Sequence, residues 1–410
     1  MAKPRIALVL PYFPPRYYGG AVQVYRALFS NLSDFEVHVI APSNGALQED
    51  IVANDDKMSP ECELHIHRLP HLVFEANTDS KLVSWSKSLA YFLFAGRRLN
   101  ALLKKLSPDI VINGGTRWVC WMLNDRNLPT CLVNYVHGEE ITIPPHGRFV
   151  ESYVVRQQKK GLRLADANIV VSSFTRELLL SENVAANKIE LIPNFVDTDR
   201  FRLPKNRHLV RESLGWGEHE FVFLTIARLI ARKGIDDAMR ALAKLKSEGR
   251  LGAKWRYVVG GEGDEKEPLL ELARELGLQD NMEFIGYVTD EDLVSHYQAA
   301  DVFLHPNKNV DGDVEGFGLV FLEANACGAA VIGGRSGGAV DAIEDGVSGF
   351  LANAYDPNSV AEKIACYLDN PDLARQHGRQ GEQRVRKDFT VQKRRAELTA
   401  YLKQLLLKSA

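Results

Sequence analysis

The sequence predicts an α/β protein made of two doubly wound, Rossmann-like domains. Short, continuous apolar runs recur along the chain, each the length of a strand buried on both faces of a parallel sheet. Segments of helical periodicity stand between most of them. The length, 410 residues, also exceeds what one hydrophobic core usually serves.

Composition narrows the function classes. The chain is 45% hydrophobic and 25% charged, as ordinary globular proteins are. Its net charge of −3 gives no global electrostatic case for nucleic acid binding, although local patches stay open, and no nucleic acid partner is expected. Cys62, Cys120, Cys131, Cys327 and Cys366 are scattered without C-x-x-C spacing, which predicts buried thiols in a reducing compartment. The apolar run Ile6–Leu10 is too short for the core of a signal peptide, and no stretch approaches the ~18 apolar residues of a membrane span. These features predict a cytoplasmic protein, soluble or peripheral at the membrane face.

Ile6–Leu10 is the first predicted strand, followed by PYFPPRYYGG and a helical pattern from Ala21 to Leu32. Gly19 and Gly20 thus stand at a strand-to-helix crossing, where backbone N–H groups can approach a phosphate; a plain tight turn is the alternative. The spacing is not G-x-G-x-x-G, so NAD is not implied. Further strands are predicted at Glu36–Ile40, Leu64–Leu69, Ile110–Asn113, Thr130–Tyr135, Ala167–Val171 and Lys188–Ile192. His137 follows one of them, just before Gly138, where an open α/β sheet exposes functional groups; a structural histidine is the alternative. Two basic segments belong to this half. Leu82–Leu106 carries Trp85, Tyr91, Phe92 and Phe94 with Arg97, Arg98, Lys104 and Lys105, and Arg148–Arg163 carries Arg156, Lys159 and Lys160. They fit either peripheral contact with an anionic membrane or two ordinary amphipathic helices.

IPNFVDTDRF, Ile192–Phe201, reads as a strand end and loop, with the polar stretch Arg202–Glu220 completing a linker. The domains are therefore expected at 1–200 and 201–389. Phe221–Ile226 opens the second series, and Arg228 and Lys233 lie just beyond it, before a helix from Ile235. Fixed cations there would stabilise a nucleoside diphosphate leaving group, although two cations in isolation fit a solvated loop equally well. Trp255–Gly260 leads into a glycine-rich turn with Gly261, and Met282–Ile285 precedes Gly286, Tyr287 and Val288. Val302–His305 enters a long loop holding Asp311-x-Asp313. We read that loop as flexible, acidic and close to the ligand rather than as a metal site.

The stretch DGDVEGFGLVFLEANACG, Asp311–Gly328, organises the rest. Glu315 and Glu323 have seven residues between them, and Gly316 and Gly318 precede a helical segment whose first free N–H groups form an anion site. Glu323 lies about one and a half turns inside that helix and can face the same cleft. The arrangement suits a ligand with a phosphate in the middle, a sugar at one end and ribose hydroxyls at the other. Ala329–Ile332 is then strand-like, and three helical patterns finish the chain.

E-G-F-G-L-V-x-L-E with E-A-x-A-C-G resembles the retaining family 4 glycosyltransferases of the GT-B fold, in which two Rossmann-like domains face each other across a cleft. R-x-x-x-x-K-G at Arg228–Gly234, and IPNFVD where the family has I-P-N-G-V-D, fall in family order. The chain departs from the family at Gly138, where many members have Asp, at Phe195, and at Ala339, Val340 and Asp341, which replace x-P-E. The resemblance implies that Glu323 holds ribose hydroxyls, Arg228 and Lys233 the diphosphate, and Glu315 and His137 the donor hexose. It places Gly19, Gly20, Gly261 and Gly316, together with Phe317, Gly318, Leu319 and Val320, against the donor, mainly through backbone groups. Tyr287 and Val288 would meet the nucleobase, and the last helix, 390–410, would pack back on the first domain. D-V-E-G is similar to some lipid-directed mannosyltransferases.

The expected function is thus retaining, metal-independent transfer of a hexose from a UDP- or GDP-linked donor to a glycan, glycolipid or small-molecule acceptor hydroxyl, with no cofactor. Glu315 as a covalent nucleophile and a front-face route assisted by the leaving phosphate both stay open. A sugar-nucleotide epimerase or phosphorylase, or a nucleotide-sugar-binding scaffold, are the alternative functions.

Overall fold

A computed structural model describes residues 3–14, 20–43, 48–69, 96–114, 130–142, 150–252 and 254–409. Among these residues, seven strands form the first sheet: β1 (Arg5–Val9), β2 (Glu36–Pro42), β3 (Leu64–Leu69), β4 (Ile110–Asn113), β5 (Cys131–Val136), β6 (Ala167–Val170) and β7 (Ile189–Leu191). Every pairing is parallel, in the order β3-β2-β1-β4-β5-β6-β7. β1, β4 and β6 are buried almost throughout, which is why their sequences are continuous apolar runs without alternation. The compact unit around this sheet comprises Met1–Ile192 and Gln392–Ala410. The terminal helix Val391–Ser409 is fixed within it where Arg395 Nη2 donates to Ala27 O (2.7 Å) and Lys403 Nζ meets Asp34 Oδ2 (3.2 Å).

The second unit, Pro193–Val391, is built on six parallel strands. They are β8 (Phe221–Ile226), β9 (Trp255–Gly260), β10 (Met282–Gly286), β11 (Val302–His305), β12 (Ala330–Gly334) and β13 (Gly349–Ala352), in the order β10-β9-β8-β11-β12-β13. Its core gathers Phe223, Leu242, Tyr257, Leu304, Ile332 and Ile364 from strands and covering helices. Strand order reverses between β8 and β11. In an open α/β sheet the loops leaving two such strands splay apart, and ligands bind in the crevice between them.

Several expectations need correction. β13 has no counterpart among the predicted strands; its four residues, Gly-Phe-Leu-Ala, are held as a strand by register with β12 from Val331↔Gly349 to Gly334↔Ala352. Arg202–Glu220 is not a bare linker. It contains the helix Arg207–Ser213, and buried Arg211 donates to the carbonyls of Ala299, Gly217, Glu218 and Glu220 and to Asp301 Oδ2 (2.6 Å). One guanidinium thus joins this stretch to the strand entrance at Asp301. Cys131 and Cys327 are buried, but Cys366 is exposed on the outer side of the helix Pro357–Asp369. Cys120 and the side chain of Cys62 lie outside the described residues, as do Gly19, Trp85, Tyr91, Phe92, Phe94 and Arg148. In the described helix 96–106, Leu99 and Leu103 are core while Arg97, Arg98, Lys104 and Lys105 are exposed, the arrangement of any amphipathic helix. No helix among the described residues is long and apolar enough to cross a membrane.

Candidate active site

The loops leaving β8 and β11 meet over one carboxylate. After β8 the chain makes a short helical turn, Ala231–Lys233, which ends at Gly234 in the left-handed conformation and starts the helix Ile235–Ser247. Arg232 and Lys233 on that turn are buried, 4% and 8% exposed. Both aim at Glu315: Lys233 Nζ donates to its Oε2 at 2.6 Å and Arg232 Nη1 to the same oxygen at 2.7 Å. Arg232 Nε also lies 2.9 Å from Asp313 Oδ1. Burial alone would raise the Glu315 carboxyl, yet Lys233 and Arg232 hold it well below the usual carboxylate range, so it is ionised at neutral pH. His305, the last residue of β11, lies beneath with Nε2 4.0 Å from Glu315 Oε2. Burial, reinforced by the charge of Lys233, pushes its imidazole down to about 3 and keeps it neutral.

The loop between β11 and Glu315 is tied down at several points, which corrects its reading as flexible. Lys308 Nζ reaches the carboxylates of Asp236 (3.1 Å) and Asp237 at the start of the helix Ile235–Ser247. Asn309 exchanges hydrogen bonds with the Tyr355 hydroxyl at 2.9 and 3.0 Å. Buried Asn307 accepts from Gly334 N (3.1 Å) and donates to Ser336 O (3.1 Å). Asp313 takes the Arg232 contact, so the acidic pair is not a free carboxylate cluster. From the other side, Gly338 N donates to Glu315 O (2.8 Å), so the loop after β12 supports the glutamate backbone.

Glu315 leads directly into the helix Leu319–Ala326. Gly318 caps its N-terminus at φ 87°, and a Cβ there would stand 2.6 Å from the Phe321 ring and 3.6 Å from Glu315 Cγ. Glycine therefore lets the carboxylate and the helix start lie close together. The Phe317 ring is buried against Phe389. Gly316, Leu319 and Val320 are half-buried. Glu323, on the second turn, has one oxygen held by the Tyr297 hydroxyl, which donates at 3.1 Å. Burial pushes the Glu323 carboxyl up to about 7, against the pull of Tyr297 and Arg200.

The remaining predicted residues divide by unit. Arg228 is exposed in the loop before Arg232 and close enough for its charge to act on Lys233. Gly261, φ 131°, follows β9 and lies against the backbone of Ala227. Tyr287 is 76% exposed beyond β10, with Val288 partly buried beside it. In the first unit, Gly20 begins the helix Gly20–Phe29 beyond β1. His137 follows β5 with Nε2 2.9 Å from Tyr25 Oη, wedged between Tyr25 and Tyr135, and burial pushes its imidazole down to about 4. Sequence reading missed Arg232, His305 and Tyr297. Arg232 had a usable signal, since it lies between Arg228 and Lys233 in the same basic turn.

Comparison with known proteins agrees with this fold. A family model described as Glycosyl transferases group 1 matches residues 206–384, and one described as Glycosyltransferase Family 4 matches residues 18–200. A GDP-mannose-dependent alpha-(1-6)-phosphatidylinositol monomannoside mannosyltransferase of Mycolicibacterium smegmatis is 35% identical over 244 residues, 58% of this chain and 63% of that protein. A D-inositol 3-phosphate glycosyltransferase of Geodermatophilus obscurus is 35% identical over 230 residues, 52% of this chain and 49% of that protein. The chain thus spans less than two thirds of the length of either relative. Among solved structures, sucrose-phosphate synthase from Thermosynechococcus elongatus has a TM-score of 0.77 at 23% identity, covering 99% of this chain and 100% of that one. Anabaena HepE in complex with UDP and glucose has a TM-score of 0.73 at 18% identity, covering 98% and 99%. The fold is GT-B, and with one family model on each half of its sequence, the chain belongs to the family 4 glycosyltransferases, the glycosyl transferases group 1.

Proposed function

We propose that the chain is a retaining, metal-independent mannosyltransferase that moves mannose from GDP-mannose to a hydroxyl of a lipid-linked acceptor. The observation that carries this reading is the set of buried cations, Arg232 and Lys233, converging on ionised Glu315 at the point where strand order reverses. As a diphosphate departs it gains charge, and preorganised cations in a water-poor site stabilise that charge without reorganising. Arg228 and Lys233 take this role, Glu315 orients the hexose, and Glu323 holds the ribose hydroxyls. Backbone N–H groups of Phe317–Val320 face the phosphates, and Gly261, Tyr287 and Val288 the nucleoside. His137, neutral in its tyrosine pocket, serves as a donor or acceptor toward the sugar. Mannose, GDP and a lipid acceptor are favoured by relatives such as the GDP-mannose-dependent phosphatidylinositol monomannoside mannosyltransferase. A lipid-linked acceptor would bring the enzyme to a membrane surface from the cytoplasmic side.

Calorimetric titration with GDP, UDP and ADP in EDTA tests the donor side. GDP is expected to bind saturably and the other two more weakly. Binding of none, or binding only after a divalent metal is restored, would overturn the reading. Arg228→Ala and Lys233→Ala should each lower turnover of GDP-mannose by about 10–1,000-fold with GDP release still detectable. Wild-type rates in both variants would remove the leaving-group role.

A further inference from the structure

Tyr297 stands outside every role assigned above, yet it alone among the described residues hydrogen-bonds the Glu323 carboxylate. It lies on the helix Asp290–Ala299 and is 1% exposed, its ring set edge-on against Phe303 (centroids 5.5 Å) and tilted against Phe201 (6.1 Å). A phenol held so tightly has one course open to its O–H, and that is toward Glu323 Oε2 at 3.1 Å. Among the described residues, Oε1 has no such bond.

Resting on the assignment of Glu323 to ribose, we propose that Tyr297 is the positioning residue for that contact: it ties down one carboxylate oxygen so that the other is presented, ionised and in a single orientation, to the ribose hydroxyls. Two hydroxyls donating to a carboxylate bind better than the same hydroxyls facing a carboxylic acid, which must spend one oxygen as a donor. A buried carboxylate with no donor would favour the acid form. The charged and titratable groups around it are few. Arg200 favours the anion and Asp290 opposes it, while the Cys327 thiol sits nearby and burial keeps it protonated. Arg200 is itself engaged with Asp290, through Asp290 O (2.7 Å) and Oδ1 (3.2 Å), which leaves Tyr297 as the direct donor.

The linkage gives a sharp expectation. The Glu323 carboxyl is pushed up to about 7, so GDP affinity should rise as pH increases through that value in the wild-type chain. Tyr297→Phe removes only the hydroxyl and keeps the packing. The anion loses its donor, and the midpoint moves upward. A one-unit move would cut the ionised fraction at pH 7 from about a half to about a tenth, weakening GDP roughly fivefold, with affinity recovering at higher pH. Ionisation of the GDP phosphates affects both proteins alike and cancels in the comparison.

The experiment is calorimetric titration of the full chain with GDP, and with the analogue of GDP lacking both ribose hydroxyls, across pH 6 to 9 in wild type, Tyr297→Phe and Glu323→Gln. The expected result is an upward-shifted midpoint in Tyr297→Phe, a pH-independent weak affinity in Glu323→Gln beyond the phosphate contribution, and no difference among the three with the dideoxy analogue. Should Tyr297→Phe fail to fold, the Glu323→Gln profile against wild type decides. An unshifted midpoint in Tyr297→Phe, or a Glu323→Gln profile that still follows the wild type, would overturn the proposal while leaving nucleotide binding intact. Wild type binding GDP, UDP and ADP not at all would instead remove the parent reading and this one with it.

Discussion

Glu315→Gln is expected to bind GDP at least as tightly as the wild-type chain while transferring mannose about a hundredfold or more slower. The substitution keeps the shape of the side chain and removes only its charge. Lys233 Nζ and Arg232 Nη1, 2.6 and 2.7 Å from a shared carboxylate oxygen in the free protein, then face an uncharged amide. Two cations 8% and 4% exposed are left without their strongest counter-charge, and removing one partner of such a buried pair costs on the order of 3–5 kcal/mol. A diphosphate that takes up those cations offsets the loss, so saturating GDP should raise the urea midpoint of Glu315→Gln by more than it raises that of the wild type. On the proposed assignment of Glu315, turnover falls because the hexose loses the group that orients it.

The sign of the pH effect follows from the direction of the Glu315 shift. Its carboxyl is held below the ordinary value of 4.5 by Lys233 and Arg232, so its contribution to stability is complete above that value and lost as pH falls toward the folded one. The acid limb of wild-type unfolding should therefore carry a component that Glu315→Gln lacks. Equal stability of the two proteins, together with equal protection by GDP, would show that the pairing does not organise the site.

How far the sequence reveals this site depends on whether a residue's neighbours lie near it in the chain. β4, β8, β9 and β11 are legible to the residue because each is a short, mainly apolar run bounded by polar or small residues. Glu315 and Glu323 are legible because the glycines and the helix between them are consecutive. The partner of Glu315 is not, since Arg232 lies 83 residues away and only the reversal of strand order at β8 and β11 brings the two loops together. Tyr297 is hidden for the same reason: from the pattern alone it is one more apolar residue on a helix. The acidic loop misleads because its composition is that of a flexible turn, whereas its restraints come from Arg232, Asp237 and Tyr355, none of them in the loop. Arg211 makes the polar stretch before β8 part of the second unit by burying one guanidinium, a contribution that polarity plots score with the opposite sign.

Gly261→Ala should be among the most damaging single-methyl changes in the chain. The residue sits at φ 131°, a conformation closed to side-chain-bearing residues, and a Cβ there would lie 1.8 Å from the carbonyl oxygen of Ala227. Neither side can yield cheaply, because the contact is backbone on backbone: Gly261 N donates to Gly286 O at 2.6 Å, Leu229 N to Glu262 O at 2.9 Å, and Glu265 N to Leu229 O at 3.0 Å. We expect a loss of roughly 3 kcal/mol or more in urea unfolding. Gly215→Ala is the matched control. Gly215 has φ 70°, and a Cβ there would meet no described atom within 4 Å, so it carries the backbone penalty of about 1 kcal/mol without the collision. The two differ in function as well. Ala227 and Leu229 flank Arg228, so any relaxation that admits the methyl at Gly261 moves the guanidinium assigned to the diphosphate, and GDP affinity should drop in Gly261→Ala and hold in Gly215→Ala. If both variants lost the same stability and bound GDP equally, the close approach of these two loops would be excluded as the device that holds Arg228 in place.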